Sequence, residues 1–245
     1  MPVDPYSFDS ESWQRGVVSW RHEWPGSRGL VSLRLSGDVS PRSAGQYIKL
    51  ASANVAGDWG VRYLSMASAP DAPTELLVAP VTGDKEPGNP AALKVGDDVM
   101  FSQTAAGKLL VPEGGGRALW LLAAGTGLAP LLSICRAGNT GFETIVVVHC
   151  VRYEGQLAWR EELQAQADAG HLRYLPLVTR PTGDTQPATR IPASLTSGGL
   201  ETLVDIALDL QRDTAILCGS GAMIVETRAA LEALGLPPGQ VITEF

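Results

Sequence analysis

The pattern of apolar residues changes near the middle of this 245-residue chain. Before about residue 111, short alternating segments such as Leu30–Leu35 are separated by Gly, Pro, Asp and Ser. Alternation with a period of two is typical of half-buried strands, and a series of such strands predicts an antiparallel β-barrel or sandwich. The other segments of this kind are Gln46–Leu50, Val61–Ala67, Glu75–Ala79 and Val99–Phe101.

The second half has a different periodicity, which begins after the glycines Gly114–Gly116. Continuous apolar runs alternate with the helical stretches Gln156–Ala169 and Met223–Leu234. The apolar runs, Leu119–Ala124, Ile145–Val148 and Ala215–Cys218, are typical of strands covered on both faces. Strands that alternate with helices predict an α/β domain with a parallel sheet and a nucleotide-type crevice. We therefore expect a barrel domain at 1–113 and an α/β domain at 114–245.

Charge and cysteine content exclude several classes of protein. The net charge of −7 argues against a nucleic-acid-binding domain, because such domains are usually strongly basic. The three cysteines, Cys135, Cys150 and Cys218, are far apart, so a disulfide scaffold, a metal site or a four-cysteine iron–sulfur cluster is not expected. The N-terminal segment lacks the pattern of a signal peptide, and glycines and a proline interrupt the longest uncharged run. A cytoplasmic monomer without a membrane partner is expected.

Two glycine-rich turns are candidate binding sites. The turn Ala124–Pro130 follows a strong strand and opens a helix, where glycine permits close approach and free N–H groups can bind an anion. Pro130 stands where a dinucleotide-binding fingerprint has its third glycine, so a simple tight turn is equally consistent with this segment. The second turn, Cys218–Gly221, ends the last buried strand. Both turns should lie on one edge of a parallel sheet and form a crevice there.

Several arginines are candidates for binding phosphate, because the guanidinium group can form two parallel hydrogen bonds. In the barrel half, Arg62, Ser65 and Ser68 are expected to share one strand face, with Arg62 on a phosphate and the hydroxyls further along the ligand. In the second half, the arginines that follow strand-like runs are Arg152, Arg180 and Arg190. The alternative for these three is that they are solvated loop residues without a ligand.

Taken together, these motifs resemble the ferredoxin–NADP reductase family, and the bacterial ferredoxin/flavodoxin–NADP reductases most closely. The resemblance is carried by Arg62-x-x-Ser65 with Ala67–Ser68, by Gly-Thr-Gly-Leu-Ala-Pro at 125–130, and by Cys218–Gly219 with Met223. Further matching segments extend it over roughly residues 15–245: 44–47, 91–97, 149–153, 179–180 and 189–192. The resemblance implies a flavoprotein oxidoreductase that binds FAD and NADP(H) and transfers electrons between NADPH and ferredoxin or flavodoxin.

The resemblance also implies roles for residues around FAD. Arg62 would bind the pyrophosphate, and Ser65 would lie beside the flavin N5 atom. The segment Lys85–Pro90 matches a second phosphate loop of the family, in which Asn89 is a natural N-cap before Pro90. The remaining FAD contacts implied are Tyr63, Leu64, Ala67, Ser68, Val78, Gly88, Thr126 and Phe245.

The implied NADP site lies in the second domain. Thr126 would stand between flavin and nicotinamide, and Cys218 would border the nicotinamide. Arg152, Arg180 and Arg190 match positions that hold the adenosine 2′-phosphate, which favours NADP over NAD. Gly125, Gly127, Gly219 and Met223 complete the implied contacts. The implied catalytic group is Ser65, Cys218 and Glu244, with no side chain acting as a nucleophile.

This chain departs from the family pattern at two places. Leu64 occupies the position of a tyrosine that packs on the flavin ring, and Tyr63 lies one residue early. A one-residue shift sends Tyr63 to the opposite strand face unless a bulge restores it. The family also has an acidic residue followed by an aromatic near the C-terminus, which corresponds here to Glu244 and Phe245. Phe245 is expected to cover the flavin face that nicotinamide must reach.

Two other functions are consistent with the sequence. One is the reductase component of an oxygenase, or a free flavin reductase. The other is a non-enzymatic flavin- or nucleotide-binding sensor, which Leu64 favours and which Ser65, Cys218 and Glu244 disfavour. A docking face for an acidic ferredoxin would involve Arg15, Arg21, Arg28, Arg34 and Arg42 with Trp13, Trp20 and Trp24. The alternative is that these residues are scattered over the surface and core of the barrel.

Overall fold

The computed structural model describes residues 9, 12–54, 57–80, 88–181 and 189–244. Its first half is a six-stranded antiparallel sheet in the order β4-β3-β6-β1-β2-β5. A bridge between Met66 and Leu76 joins the two edges, so the sheet curls into a barrel, as predicted. The strands are β1 (Trp13–Glu23), β2 (Val31–Leu35), β3 (Tyr47–Ala53), β4 (Trp59–Ser65), β5 (Glu75–Val78) and β6 (Asp98–Ser102).

The barrel closes around a core of buried aliphatic side chains and Phe101. Strands β2, β3, β5 and β6 contribute alternate residues to this core, as Val31, Leu33 and Leu35 do in β2. The first strand, β1, was not predicted from the sequence. Its pairing register shifts between Val18 and Trp20, so apolar and polar residues do not alternate regularly along it.

The second half is a five-stranded parallel sheet in the order β11-β10-β7-β8-β9, flanked by helices. This confirms the predicted α/β architecture. The 113/114 boundary falls between β6 and β7. The strands are β7 (Gly116–Ala124), β8 (Phe142–Val151), β9 (Arg173–Val178), β10 (Thr214–Cys218) and β11 (Val241–Thr243). The helices are α1 (Leu128–Ala137), α2 (Arg160–Asp168), α3 (Ile191–Thr196), α4 (Gly199–Val204) and α5 (Gly221–Ala233).

Some helix limits differ from those expected from periodicity. The predicted helix 156–169 begins later, at Arg160, because a 3₁₀ turn occupies Glu154–Gln156 and Trp159 has a left-handed backbone with φ 51°. The helices α3 and α4 have six residues each and β11 has three. Segments this short do not contain enough residues to show a periodic apolar pattern.

A buried ion-pair group connects the two halves. Arg136 on α1 donates a hydrogen bond to the carboxylate of Glu75 on β5, at 3.0 Å, and another to the carbonyl of Ala67. The same guanidinium forms two hydrogen bonds with Glu162 of α2. Because Glu75 is almost fully buried, this contact fixes the barrel against the parallel sheet.

The prediction that Arg42 belongs to a basic docking face is wrong. Its guanidinium donates to the carbonyls of Ala69 and Pro70 and to the Thr74 hydroxyl, and burial lowers its pKa. Arg42 therefore holds a barrel loop together and is not presented to a partner. Within the described ranges, no helix is long and apolar enough to cross a bilayer, and no cluster of three or more His, Cys, Asp or Glu side chains could hold a metal ion.

Candidate functional site

Both glycine-rich turns lie at the same edge of the parallel sheet, as predicted. Strands β7 and β10 are adjacent and parallel, with Ala123 opposite Cys218. The turns touch each other, since a Cβ atom on Gly127 would lie 2.2 Å from the carbonyl oxygen of Cys218. Only glycine allows this approach, because any side chain at residue 127 would collide with the backbone at the end of β10.

Each turn leads into the N-terminus of a helix. Gly125–Gly127 forms a 3₁₀ turn, with Gly125 at φ 57°, and continues directly into α1. At the start of α5, the Ser220 side chain caps the helix by accepting a hydrogen bond from the Met223 backbone N–H. Two helix N-termini at one edge bring free N–H groups and positive dipole ends together, which favours an anionic ligand.

This edge faces β4 of the barrel across a cleft of 860 Å³, which we call the interdomain cleft. Its volume is at the upper end of the range usual for ligand sites. On the barrel side it is lined by Leu30, Tyr63, Leu64, Ser65, Leu77 and Ala79. On the other side, the predicted residues that line it are Gly125, Thr126, Gly127, Arg152, Arg180, Arg190, Cys218, Gly219 and Met223.

The β4 wall presents an exposed aromatic ring. The register of β3 and β4 is regular, with Ile48 opposite Leu64, so no bulge returns Tyr63 to the face of Leu64. Leu64 packs against the barrel core, while the Tyr63 side chain is 65% exposed. The Tyr63 ring contacts Tyr47 edge-on at 5.6 Å between centroids. The predicted difference in face between Tyr63 and Leu64 is therefore confirmed.

The expectation that Arg62, Ser65 and Ser68 share a face is wrong. Arg62 lies opposite Leu50 and Ser65 lies opposite Tyr47, and residues three apart on a regular strand face opposite sides. Ser68 follows the end of β4 and is buried. Its hydroxyl accepts a hydrogen bond from the Glu75 backbone N–H at 3.1 Å, so this hydroxyl supports the barrel.

Arg62 lies in a second group of predicted residues beside the cleft. Its Nε donates to the Gly88 carbonyl at 3.1 Å. Gly88 has φ 72°, and a Cβ atom there would lie 2.5 Å from the Gly60 carbonyl oxygen, so glycine is required. Asn89 caps the following 3₁₀ turn, as predicted, by accepting from the Ala91 N–H.

The other residues expected around FAD do not line the cleft or cannot be placed. Ala67 is fully buried. Val78 points into the barrel core, whereas its neighbours Leu77 and Ala79 line the cleft. Phe245 and Lys85–Pro87 lie outside the described residues.

Cys218 lies at the end of β10, close to Glu244. Burial raises the pKa of its thiol to about 12, and the Glu244 carboxylate contributes to the increase. Cys218 is therefore a neutral thiol at physiological pH and a small, weakly polar part of the cleft. Glu244 does not line the cleft itself, and its carboxylate accepts a hydrogen bond from the Lys108 backbone N–H at 3.0 Å.

Three exposed arginines form one end of the cleft. Arg152, Arg180 and Arg190 all line it, and the backbone N–H of Arg180 donates to the backbone carbonyl of Arg152 at 2.9 Å. Tyr153 lies among them, and its hydroxyl accepts a hydrogen bond from Arg180 Nη1 at 3.3 Å. This bond and the charges of the neighbouring arginines lower the pKa of Tyr153. The sequence alone did not single out Tyr153, because its position beside the arginines depends on the packing of a loop.

A buried histidine forms a hydrogen bond with the first glycine-rich turn. His149 lies on β8 with no exposed surface, and its Nε2 is 3.1 Å from the Gly125 carbonyl oxygen. Within the described part of the chain its Nδ1 has no hydrogen-bond partner. Burial lowers the pKa of His149 to about 4, so the ring is neutral and Nε2 carries the proton that binds Gly125.

We expect His149 to make stability depend on pH. The ordinary histidine pKa of about 6.5 applies in the unfolded chain, so between pH 6.5 and 4 only the unfolded state gains this proton. The contribution of His149 is complete above pH 6.5 and is lost as the pH falls to about 4, by on the order of 3 kcal/mol. Urea unfolding at pH 7 and pH 4 measures this loss.

The matched control is His149→Gln, which keeps an N–H donor but does not titrate. The difference in unfolding free energy between wild type and this variant should change by that amount between the two pH values. A constant difference would show that His149 does not titrate as expected.

Comparisons with known proteins agree with this architecture. Residues 121–229 match the family model described as an oxidoreductase NAD-binding domain. The chain is 33% identical to flavodoxin/ferredoxin–NADP reductase of Shigella flexneri over 223 residues, 88% of each chain. It is 34% identical to ferredoxin–NADP reductase A of Sorangium cellulosum over 232 residues, covering 89% of this chain and 82% of that protein. A ferredoxin NADP⁺ reductase from Neisseria gonorrhoeae, solved with bound FAD and NADP, superposes with a TM-score of 0.82 at 25% identity, over 95% of this chain and 98% of that one.

The barrel, the parallel sheet and the cleft between them define a two-domain oxidoreductase of the nucleotide-dependent class. The 33% identity to the Shigella flexneri protein, over most of both chains, is high enough to assign the chain to one family within this class. The chain belongs to the flavodoxin/ferredoxin–NADP reductase family, which confirms the resemblance found in the sequence.

Proposed function

We propose that this protein is an FAD-dependent enzyme that transfers electrons between NADPH and ferredoxin or flavodoxin. The observation that carries the proposal is the interdomain cleft, which brings the Tyr63–Ser65 segment of the barrel to the glycine-rich turns and arginines of the parallel sheet. Membership in the family supports the same function.

The residues on the barrel side fit a flavin nucleotide. Tyr63 offers an exposed aromatic face that suits a flat ring system, whereas Leu64, on the opposite strand face, contributes apolar surface to the cleft wall. Ser65 adds a hydroxyl at the end of β4. We assign the diphosphate part to Arg62 and the Gly88–Asn89 turn. There the Arg62 guanidinium lies beside the Gly88 backbone, which packs so closely on Gly60 that no Cβ atom fits.

The opposite wall fits a phosphorylated nicotinamide nucleotide. The helix N-termini after Gly127 and Ser220 supply backbone donors for a diphosphate, and the three arginines supply cations for a further phosphate. Thr126 and Cys218 line the region between the turns and β4. The neutral Cys218 thiol suits a nicotinamide ring, since it brings no charge to the site of hydride transfer.

Bound FAD would accept a hydride, which carries two electrons, and would release these electrons one at a time. The side chains that line the interdomain cleft would orient the two rings toward each other and exclude water between them. Ser65 would offer its hydroxyl to the bound flavin from the cleft wall, and the His149 contact keeps the Gly125–Gly127 turn in its shape. None of these side chains acts as a nucleophile.

The test is an anaerobic titration of the purified, FAD-loaded protein with NADPH and then with NADH. We expect stoichiometric bleaching of the flavin bands by NADPH, much weaker bleaching by NADH, and reoxidation when ferredoxin or flavodoxin is added. Failure to take up FAD, or to be bleached by NADPH, would contradict the proposal. Bleaching without reoxidation by either carrier would favour a sensor.

A further inference from the structure

A loop of the barrel domain places a cation on the second domain, next to the arginine end of the cleft. Arg28 lies between β1 and β2, and its guanidinium carbon stacks 3.8 Å above the centre of the Tyr153 ring. Its backbone has φ 64°, which is uncommon for a residue other than glycine, asparagine or aspartate. A strained backbone persists only where the surrounding structure holds it.

The surrounding contacts hold this loop firmly. A Cβ atom on Gly155 would lie 2.4 Å from the carbonyl carbon of Gly26, so the two backbones touch. Trp24 packs edge-on against Trp159 with ring centroids 5.4 Å apart. The position of Arg28 over Tyr153 is therefore set by close packing between the domains.

Tyr153 connects Arg28 to the cleft. One face of its ring carries the Arg28 guanidinium, and its hydroxyl accepts a hydrogen bond from Arg180 Nη1 at 3.3 Å. Arg180 lines the cleft together with Arg152. Stacking on the ring restricts the rotation of Tyr153 and thereby fixes the hydroxyl that holds Arg180.

We propose that Arg28 is a positioning residue for recognition of the nucleotide 2′-phosphate, acting through Tyr153 on Arg180. This inference rests on the proposed function, because it assigns the arginine end of the cleft to that phosphate. It adds that the barrel domain, and not the nucleotide-binding domain alone, determines the preference for the phosphorylated nucleotide.

The experiment measures binding of adenosine 2′,5′-bisphosphate and adenosine 5′-monophosphate to the FAD-loaded protein by calorimetry. Arg28→Gln is expected to weaken binding of the bisphosphate about fivefold, the size of a partly screened charge interaction, and to leave the monophosphate unchanged. Tyr153→Phe keeps the ring, removes the hydroxyl and should cause a similar loss. The double variant should lose little more than either single variant, because both changes break the same chain of contacts.

The matched control is Arg15→Gln, which removes one positive charge from the barrel at an exposed pair with Asp98. It should leave both affinities unchanged. Equal weakening of both ligands by Arg28→Gln, an unchanged bisphosphate affinity, or additive losses in the double variant would each overturn the positioning role. A wild-type protein that binds no bisphosphate and is not bleached by NADPH would overturn the proposed function as well, whereas normal wild-type behaviour confines the failure to Arg28.

Discussion

Simultaneous replacement of Arg152, Arg180 and Arg190 by glutamine is expected to raise the KM for NADPH by about a hundredfold while leaving the KM for NADH nearly unchanged. All three side chains are exposed and line one end of the interdomain cleft. A charge-assisted hydrogen bond contributes roughly 1.5–3 kcal/mol, and solvent screening reduces the sum over three such bonds. NADH lacks the additional phosphate and has no equivalent interaction to lose. Steady-state kinetics with an artificial dye acceptor measures both values.

The matched control replaces three other exposed arginines, Arg15, Arg160 and Arg212, by glutamine. This control changes the net charge equally, but none of these three residues lines the cleft. A comparable rise in the NADPH KM in the control would attribute the effect to net charge. Equal increases for NADPH and NADH in the cleft variant would show that the arginines do not distinguish the two nucleotides.

Replacement of Asp213 by alanine is expected to lower the free energy of unfolding by about 3–5 kcal/mol, because it leaves buried N–H donors unpaired and removes the nearer carboxylate from Arg117. The Asp213 side chain has no exposed surface. Its carboxylate accepts hydrogen bonds from the Ala118 N–H at 3.0 Å and the Trp120 indole N–H at 3.0 Å. It also forms two bonds with the Arg117 guanidinium. Urea unfolding measures the change.

Asp98→Ala is the control for this prediction, since Asp98 also pairs with an arginine but is exposed. Its expected cost is much smaller than that of Asp213→Ala, because an exposed ion pair contributes little to stability. Asp213 lies just before β10, whereas Cys218 and the cleft lie at the other end of that strand, so the KM for NADPH of the folded Asp213 variant should not change. A loss no larger than that of Asp98→Ala would refute the role assigned to Asp213.

The sequence was informative where local pattern determines structure. Alternating residues in Leu30–Leu35 and continuous apolar runs in Leu119–Ala124 correspond to β2 and β7. Asn89 before Pro90 predicted a capped turn that is present. The order of parallel strands then implied that Gly127 and Cys218 would lie at one edge, where they touch. These features depend on backbone propensity and on burial, and the residues adjacent in the sequence are enough to indicate both.

The sequence was less informative where contacts join distant segments. The register shift of β1 interrupts the alternation that would predict a strand, and the partners of Arg42 are carbonyls of a loop that no local pattern indicates. The pairing of β3 with β4 puts Arg62 and Ser65 on opposite faces, contrary to the face predicted from the sequence. Each error concerns a direction or a partner that only the assembled sheet defines.

By itself the sequence determined the barrel followed by a parallel α/β sheet, the glycine-rich turns and the identity of the charged residues near them. The tertiary structure alone decided that the His149 ring contacts the Gly125 carbonyl and that Arg28 reaches Tyr153 across the domain boundary. The physical reason is that periodicity reports burial and local backbone conformation, whereas a hydrogen bond or a stacked ring depends on the exact approach of segments far apart in the chain.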